Sequence, residues 1–332
     1  MPANLTPQYH KVEEEYRRAA TVEEELRCLQ LMLAEIPKHK GTDKLQADIK
    51  AKISKAKKEA QVERSAGKKK GPSFRIPRQG AGMAVILGGP NAGKSQLLAS
   101  LTRATPEVAL YPFTTQMPQP GMMPYEDVFV QLIDTPPVTA DYIEPYTLNL
   151  IRGADQVLLL VDLGSDDGIE RLQDVLDRLS RTKSRLGRRS YLDEEDIGLS
   201  YTRTFLLANK IDLPDARERL ELLHELLPLD LPEFLISAHA KTGLEELRKA
   251  VFDALDVIRV YTKLPSAKEP DLERPFSCRR GSTHIELAEL VHMDFVQNFK
   301  FARVWGEAVH PATQVKGDYV LHNKDIVELH AT

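Results

Sequence analysis

Apolar residues recur at two periods along the chain, and the alternation between them lays out the fold. Short, mostly apolar runs mark strands: MAVIL at 83–87, DVFVQLI ahead of Asp134, VLLLV at 157–161, TFLLA at 204–208, and EFLI ahead of Ser237. Between them lie stretches with helical spacing. SQLLASLTRA carries Leu97, Leu98 and Leu101, and Ile169 to Leu179 is amphipathic. Strands alternating with helices predict an α/β domain built on a mostly parallel sheet. Near the N-terminus the pattern is purely helical. Leu26, Leu29, Leu33 and Ile36 form one stripe, Leu45, Ile49, Ile53 and Ala56 a second, and Pro37 to Thr42 a break, which predicts a helical hairpin within residues 1–66.

The C-terminal stretch follows a third order. IRVYTK begins at Ile258, a loop rich in Pro and charge follows, and the capping-box pair Thr283 and Glu286 opens a helix with Leu287, Leu290 and Val291. Strand-like KFARVW and DIVELH complete it. That order fits a small β-grasp fold.

Candidate chemistry begins at GGPNAGKS, residues 88–95, a complete G-x-x-x-x-G-K-S phosphate loop set between a strand run and a helical run. The expected phosphate contacts are Gly88, Gly89, Pro90, Asn91, Ala92, Gly93, Lys94 and Ser95. Side chains at Gly88 and Gly93 are expected to collide with phosphate oxygens. Lys94 reaches the terminal phosphates and stabilises charge there, and Ser95 ligates magnesium. NKID, residues 209–212, names the base. A carboxylate at Asp212 can accept two hydrogens only from a base with a ring NH and an amine on one edge, which is guanine and not adenine. Asn209 would bond the other edge and the loop, and the Lys210 stem would cover the base plane. Ser237 and Ala238, in SAHAKTG, stand where a backbone NH can meet the guanine oxygen. YPFTT (Tyr111 to Thr115) and DTPP (Asp134 to Pro137) suit the sensing of a third phosphate, with Phe113, Thr114 and Thr115 beside the nucleotide and Asp134 holding magnesium through water. The motifs thus predict a GTP and GDP site.

Five such elements in this order resemble the translation-factor class of P-loop GTPases, and YPFTT together with GGPNAGKS narrows the resemblance to the Obg superfamily and its DRG group. The likeness covers nearly the whole chain. The resemblance implies a helical hairpin with a basic second arm at 1–66, a basic linker at 67–80, a GTPase domain at 81–257 with an insertion near 164–200, and a TGS domain at 258–332. It also implies that Thr115 is a magnesium ligand with a catalytic role and that Asn91 is a candidate potassium ligand. The glycine-rich N-terminal domain of Obg itself is absent.

Two departures bear on mechanism. Where the family pattern is D-x-P-G, Pro137 stands in place of the glycine whose NH bonds the third phosphate. Discrimination between GTP and GDP should weaken. Val138 stands where many GTPases place a water-orienting glutamine, so no side-chain base is expected and intrinsic hydrolysis should be slow. Obg-like relatives share this hydrophobic residue, which implies completion of the site by a cation, an element in trans or the ribosome. The alternative is an RNA- or ribosome-binding adaptor that nucleotide stabilises and that barely turns over.

Charge changes the picture only locally. The 332 residues carry a formal net charge of −4, yet residues 38–80 hold 14 Lys or Arg against 4 Asp or Glu. Lys44, Lys50, Lys52, Lys55, Lys57 and Lys58 lie off the apolar stripe, a surface suited to RNA phosphates and, with the TGS domain, to a ribosome or rRNA. A protein regulator is a further candidate partner; a membrane or DNA is not expected. No apolar run is long enough to span a bilayer and the N-terminus has no secretory pattern, so a cytoplasmic multidomain protein is expected. Cys28 and Cys278 lack metal spacing and read as semi-buried thiols. The tract RTKSRLGRRS reads as a solvated loop.

Overall fold

The computed structural model describes residues 5–19, 21–37, 42–65, 76–102, 117–193, 196, 198–292, 298–315 and 319–331. Three helices open the chain: α1 (Pro7–Arg18), α2 (Val22–Glu35) and α3 (Asp43–Ser65). The expected hairpin is α2 with α3, and α1 corrects it to a three-helix unit. Its apolar residues Tyr9, Val12 and Tyr16 are diluted by charge, which hid the stripe. Thr6 caps it by accepting the Tyr9 N–H, with Pro7 in the first turn. The three helices bury Tyr9, Tyr16, Cys28, Leu29, Met32, Ile36 and Ile49 together with Leu192, which comes from the expected insertion. Cys28 and Cys278 are free and fully buried rather than semi-buried.

The central sheet contains β1 (Met83–Gly88), β2 (Gln119–Tyr125), β3 (Val128–Asp134), β4 (Gln156–Asp162), β5 (Ser184–Gly187), β6 (Tyr191–Leu192), β7 (Ser200–Asn209) and β8 (Glu233–Leu235). Its order is β2-β3-β1-β4-β7-β5, with β6 and β8 also paired to β7. β3, β1, β4, β7 and β8 run parallel, and β2 returns antiparallel on β3. Alternate residues of the central strands feed opposite faces, as the pleat requires. Val85, Leu87, Val157 and Leu159 enter one core with Ile151 of α5 (Pro145–Gly153), Leu172 of α6 (Gly168–Ser180) and Leu223 of α7 (Ala216–Leu226). Ala84, Ile86, Leu158 and Leu160 enter the other with Leu97 of α4 (Lys94–Leu101) and Leu247 of α8 (Leu244–Ala254). The sheet is therefore covered on both faces.

The basic tract is not a solvated loop. Ser184–Gly187 pairs parallel with Ser200–Arg203. β7 is ten residues long and β8 pairs only with Leu206–Ala208, so the first half of β7 has backbone groups left for β5 and β6. Arg185 donates to the carbonyls of Leu179, Ser180 and Thr182 at the end of α6, where helix carbonyls lack internal partners. The expected linker also ends early, since Ile76 packs on the central core and Gly80 bridges Val130. Residues 66–75 lie outside the described residues.

The C-terminal sheet has the order β10-β9-β13-β11-β12, from β9 (Val257–Thr262), β10 (Asp271–Arg279), β11 (Phe299–Gly306), β12 (Val309–Val315) and β13 (Asp325–Ala331). β13 and β9 are parallel, and α9 (His284–Val291) starts with the expected capping box. Two expectations change. The Pro- and charge-rich stretch contributes β10, whose register breaks between Asp271 and Phe276, the interval that holds Pro275. Leu290 is exposed, while Leu287 is buried. Arg259 of β9 pairs with Glu126 and, at 2.9 Å, with Asp127 in the β2–β3 turn, joining this sheet to the central one. No helix among the described residues is long and apolar enough to cross a membrane.

Candidate nucleotide site

The carboxyl ends of parallel strands in a doubly covered sheet form its ligand-facing edge. β1 delivers the GGPNAGKS loop there, β3 delivers Asp134, β4 Asp162 and β7 Asn209. Asn91 (φ 59°) and Gly93 (φ 96°) both take the left-handed conformation that turns the loop into α4. The glycines answer to the protein itself. A Cβ at Gly88 would lie 3.0 Å from the Leu160 carbonyl oxygen, and one at Gly93 would run into the Asn209 amide nitrogen. The constraint assigned to phosphate oxygens is thus already imposed by neighbouring strands.

Lys94 is 7% exposed, with Nζ donating to the Gly89 and Gly88 carbonyls at 2.9 and 3.2 Å. Burial lowers its pKa to about 8, only partly opposed by the negative charge of Asp134. A phosphate arriving beside Lys94 restores the charged form. Nucleotide affinity is therefore expected to fall by about fivefold between roughly pH 8 and 9, with proton uptake on binding. Calorimetry in buffers of different ionisation heat checks this; pH-independent affinity would refute it.

Ser95 Oγ donates to Asp134 Oδ2 at 2.5 Å, and Asp134 Oδ1 is buried with no hydrogen-bond partner among the described residues. Burial pushes the Asp134 carboxyl above its usual range, against the Ser95 bond and Lys94. The Ser95 hydroxyl and the Asp134 carboxylate, one of whose oxygens is buried and unmatched, form an oxygen donor set suited to a hard cation such as magnesium. Among the described residues, no group of three or more His, Cys, Asp or Glu could hold a metal. The cation would rely on phosphate oxygens.

On the base side, Asn209 is buried and both ends of its amide are in use. Nδ2 donates to the Ala92 carbonyl at 2.8 Å, and Oδ1 accepts the Ala238 N–H at 3.0 Å. The expected tie to the loop is present. The Ala238 N–H, expected to face guanine, is instead bonded to Asn209. Lys210, with φ 66°, extends its ammonium to Asp162 Oδ2 at 2.6 Å. Asp212 stays exposed, and the hydroxyl of buried Ser237 holds its carboxyl below the usual range. It is ionised at neutral pH and free to accept.

The third-phosphate side holds less. Phe113, Thr114 and Thr115 lie outside the described residues. Pro137 is exposed and has no N–H to give, and the next N–H, that of Val138, is bonded to the Gly88 carbonyl at 3.2 Å. The Val138 side chain is buried in the central core. Two neighbours had escaped sequence reasoning. Asp162 could have been read as the strand-end carboxylate after VLLLV. Arg171 of α6, whose Nη1 donates to the Pro90 carbonyl at 3.3 Å, carried no sequence signal.

Comparison with known proteins agrees with this geometry. Residues 83–189 match the family model described as a 50S ribosome-binding GTPase, and residues 258–331 match the TGS domain. An uncharacterized GTP-binding protein of Methanocaldococcus jannaschii is 30% identical, covering 93% of this chain and 92% of its own length. Developmentally-regulated G-protein 1 of Arabidopsis thaliana is 26% identical over 92% of this chain and 90% of its own. Developmentally-regulated GTP-binding protein 1 of Xenopus laevis is 26% identical over 90% and 95%. Among solved structures, the YchF GTPase of Schizosaccharomyces pombe covers 77% of this chain and 99% of its own, at 16% identity and a TM-score of 0.50, a likeness of fold alone. With relatives aligned across nearly the whole length of both partners, and a phosphate loop and NKID meeting at one sheet edge, the chain belongs to a family of GTP-binding proteins that join a P-loop GTPase domain to a TGS domain, and it is similar to the developmentally regulated (DRG) GTP-binding proteins.

Proposed function

We propose that this chain is a slow GTP-hydrolysing switch whose nucleotide state governs how its N-terminal helices and TGS domain engage the ribosome. The observation that carries the reading is the third-phosphate side of the site: Val138 is buried, its N–H is bonded to Gly88, and Pro137 has none. Residues 88–95 would hold the phosphates, with Phe113, Thr114 and Thr115 beside them. Asp212 would read guanine, framed by Lys210, Ser237 and Ala238. Ser95, Thr115 and, through water, Asp134 would hold magnesium, which supplies neutralising charge to the phosphates. Lys94 and the loop N–H groups would stabilise the charge that grows as water attacks, with no side-chain base assigned. Asn91 is the candidate potassium ligand; turnover equal in sodium and potassium buffers would end that assignment.

Support for the partner is the exposed lysine face of α3, where Lys44, Lys50, Lys57 and Lys58 face solvent, and the ribosome-binding description of the matched family. Lys52 does not belong to that face, since it is tied to Asp196 at 3.0 Å. Cosedimentation with ribosomes under GTP analogue, GDP and no nucleotide, across a salt series, tests the proposal. Pelleting that depends on nucleotide and fades with salt supports the switch. State-independent pelleting with negligible single turnover supports the adaptor, and no pelleting removes the ribosome.

Pro137→Gly is expected to raise the ratio of GTP to GDP affinity by about three- to tenfold, the effect of one backbone donor to a charged group. Equal ratios in the two proteins would show that the missing N–H is not the reason.

A further inference from the structure

A cavity of about 480 Å³ lies where the N-terminal helices, the central domain and the C-terminal sheet meet, away from the phosphate loop. Six arginines line it: Arg17 and Arg18 of α1, Arg78 ahead of β1, Arg203 of β7, and Arg279 and Arg280 at the end of β10. Among the described residues only three carboxylates, Glu14, Asp155 and Asp256, line the same walls, leaving three positive charges in excess among them.

Those carboxylates are already engaged. Asp155 takes Arg18 at 3.0 Å, Arg78, and the Met83 N–H at 2.8 Å. Glu14 takes Arg18 at 2.8 Å and Arg279, and Asp256 takes Arg280 at 2.9 Å. Arg17 and Arg203 are left with backbone carbonyls. Arg17 is 5% exposed, its guanidinium reaches Tyr201 and Ala154 oxygens at 3.3 and 3.4 Å, and its Nε has no partner. Arg203 donates to the Ala254 carbonyl. Burial lowers the Arg17 pKa to about 10, the mark of a charge short of compensation. The charges of Glu14 and Asp155 offset this only in part, against burial and the neighbouring Arg18; a desolvated, undercompensated guanidinium is unfavourable, and an anion from outside relieves it.

The guanidinium fork matches phosphate oxygens in pairs. A single phosphate carries about −1.5 to −2 at pH 7, less than the excess here, so two linked phosphates fit better. Among the described residues no aromatic ring lines the cavity, so none of them would stack on a base. We propose that this cavity binds a diphosphate group, free or carried on a small molecule, independently of the nucleotide site. Because its walls come from all three units, the bound anion fastens α1 and the C-terminal sheet to the central domain.

The test uses the full chain saturated with fluorescent GDP and magnesium, so that the nucleotide site is filled. Pyrophosphate titrated by calorimetry at low salt is expected to bind near one equivalent without releasing GDP, and to weaken in high salt. Arg203→Gln and Arg280→Gln are each expected to weaken it by about tenfold. Arg280, 65% exposed, can be changed without opening the core, so its variant decides if Arg203→Gln fails to fold. ADP binding no tighter than pyrophosphate marks the phosphates alone as the ligand, and tighter binding marks a nucleoside diphosphate. Absence of pyrophosphate heat, GDP release in step with it, or unchanged affinity in Arg280→Gln overturns the proposal.

Discussion

Asp212→Asn is expected to lower GTP affinity by about 10³-fold or more and to bring in xanthosine triphosphate instead. Asn209 spends both ends of its amide on Ala92 and Ala238, so base discrimination falls on the exposed carboxylate of Asp212. Guanine presents a ring NH and an amine, and both need an acceptor. An asparagine answers one of them with its own NH₂, turning a bond into a clash of donors. Xanthine carries an oxygen where guanine has the amine, which the new NH₂ satisfies. Competition against fluorescent GDP gives the ratio of the two affinities. A ratio unmoved by the substitution would mean that Asp212 does not contact the base.

Lys94→Met is expected to act in opposite directions on chemistry and on stability. Turnover should fall by about 10³-fold, because the ammonium that stabilises phosphate charge is gone. The nucleotide-free protein should become more stable at pH 7, by about 1–3 kcal/mol. The sign follows from the lowered pKa of about 8 in the folded chain. Below that pH the fold must hold a buried ammonium at a cost; between about 8 and 10.5 the unfolded chain binds more protons than the folded one, and stability rises with pH. The advantage of methionine should therefore shrink across that window. Melting temperatures of both proteins from pH 7 to 10.5 check it. A variant less stable at pH 7 would mean that the bonds to the Gly88 and Gly89 carbonyls outweigh burial.

The parts of the site proposed to contact nucleotide were legible because their spacing is local. Eight consecutive residues make the phosphate loop, and four make NKID. The strand runs were legible for a similar reason, since β1 and β4 are buried on both faces and read as unbroken apolar segments. Elements that bury only part of themselves were harder. α1 holds its core contacts on Tyr9, Val12 and Tyr16 amid nine other residues, mostly polar or charged, and β10 is interrupted by Pro275. β5 became a strand only because β7 extends beyond β8, a fact of three-dimensional pairing. Contacts between distant residues left no trace at all: Gly93 against Asn209, Arg171 against Pro90, and the arginine cavity gathered from residues 14 to 280.

Leu192 sits in the central part of the chain yet lies inside the hydrophobic interior of the first three helices. Trimming the protein to start at residue 81 would uncover that leucine and strip the Ala154 and Tyr201 carbonyls of the Arg17 guanidinium they now meet. The shortened molecule would carry a bare apolar spot and two unmet backbone oxygens, a surface that invites self-association. The leading helices thus serve as a cover for the central domain.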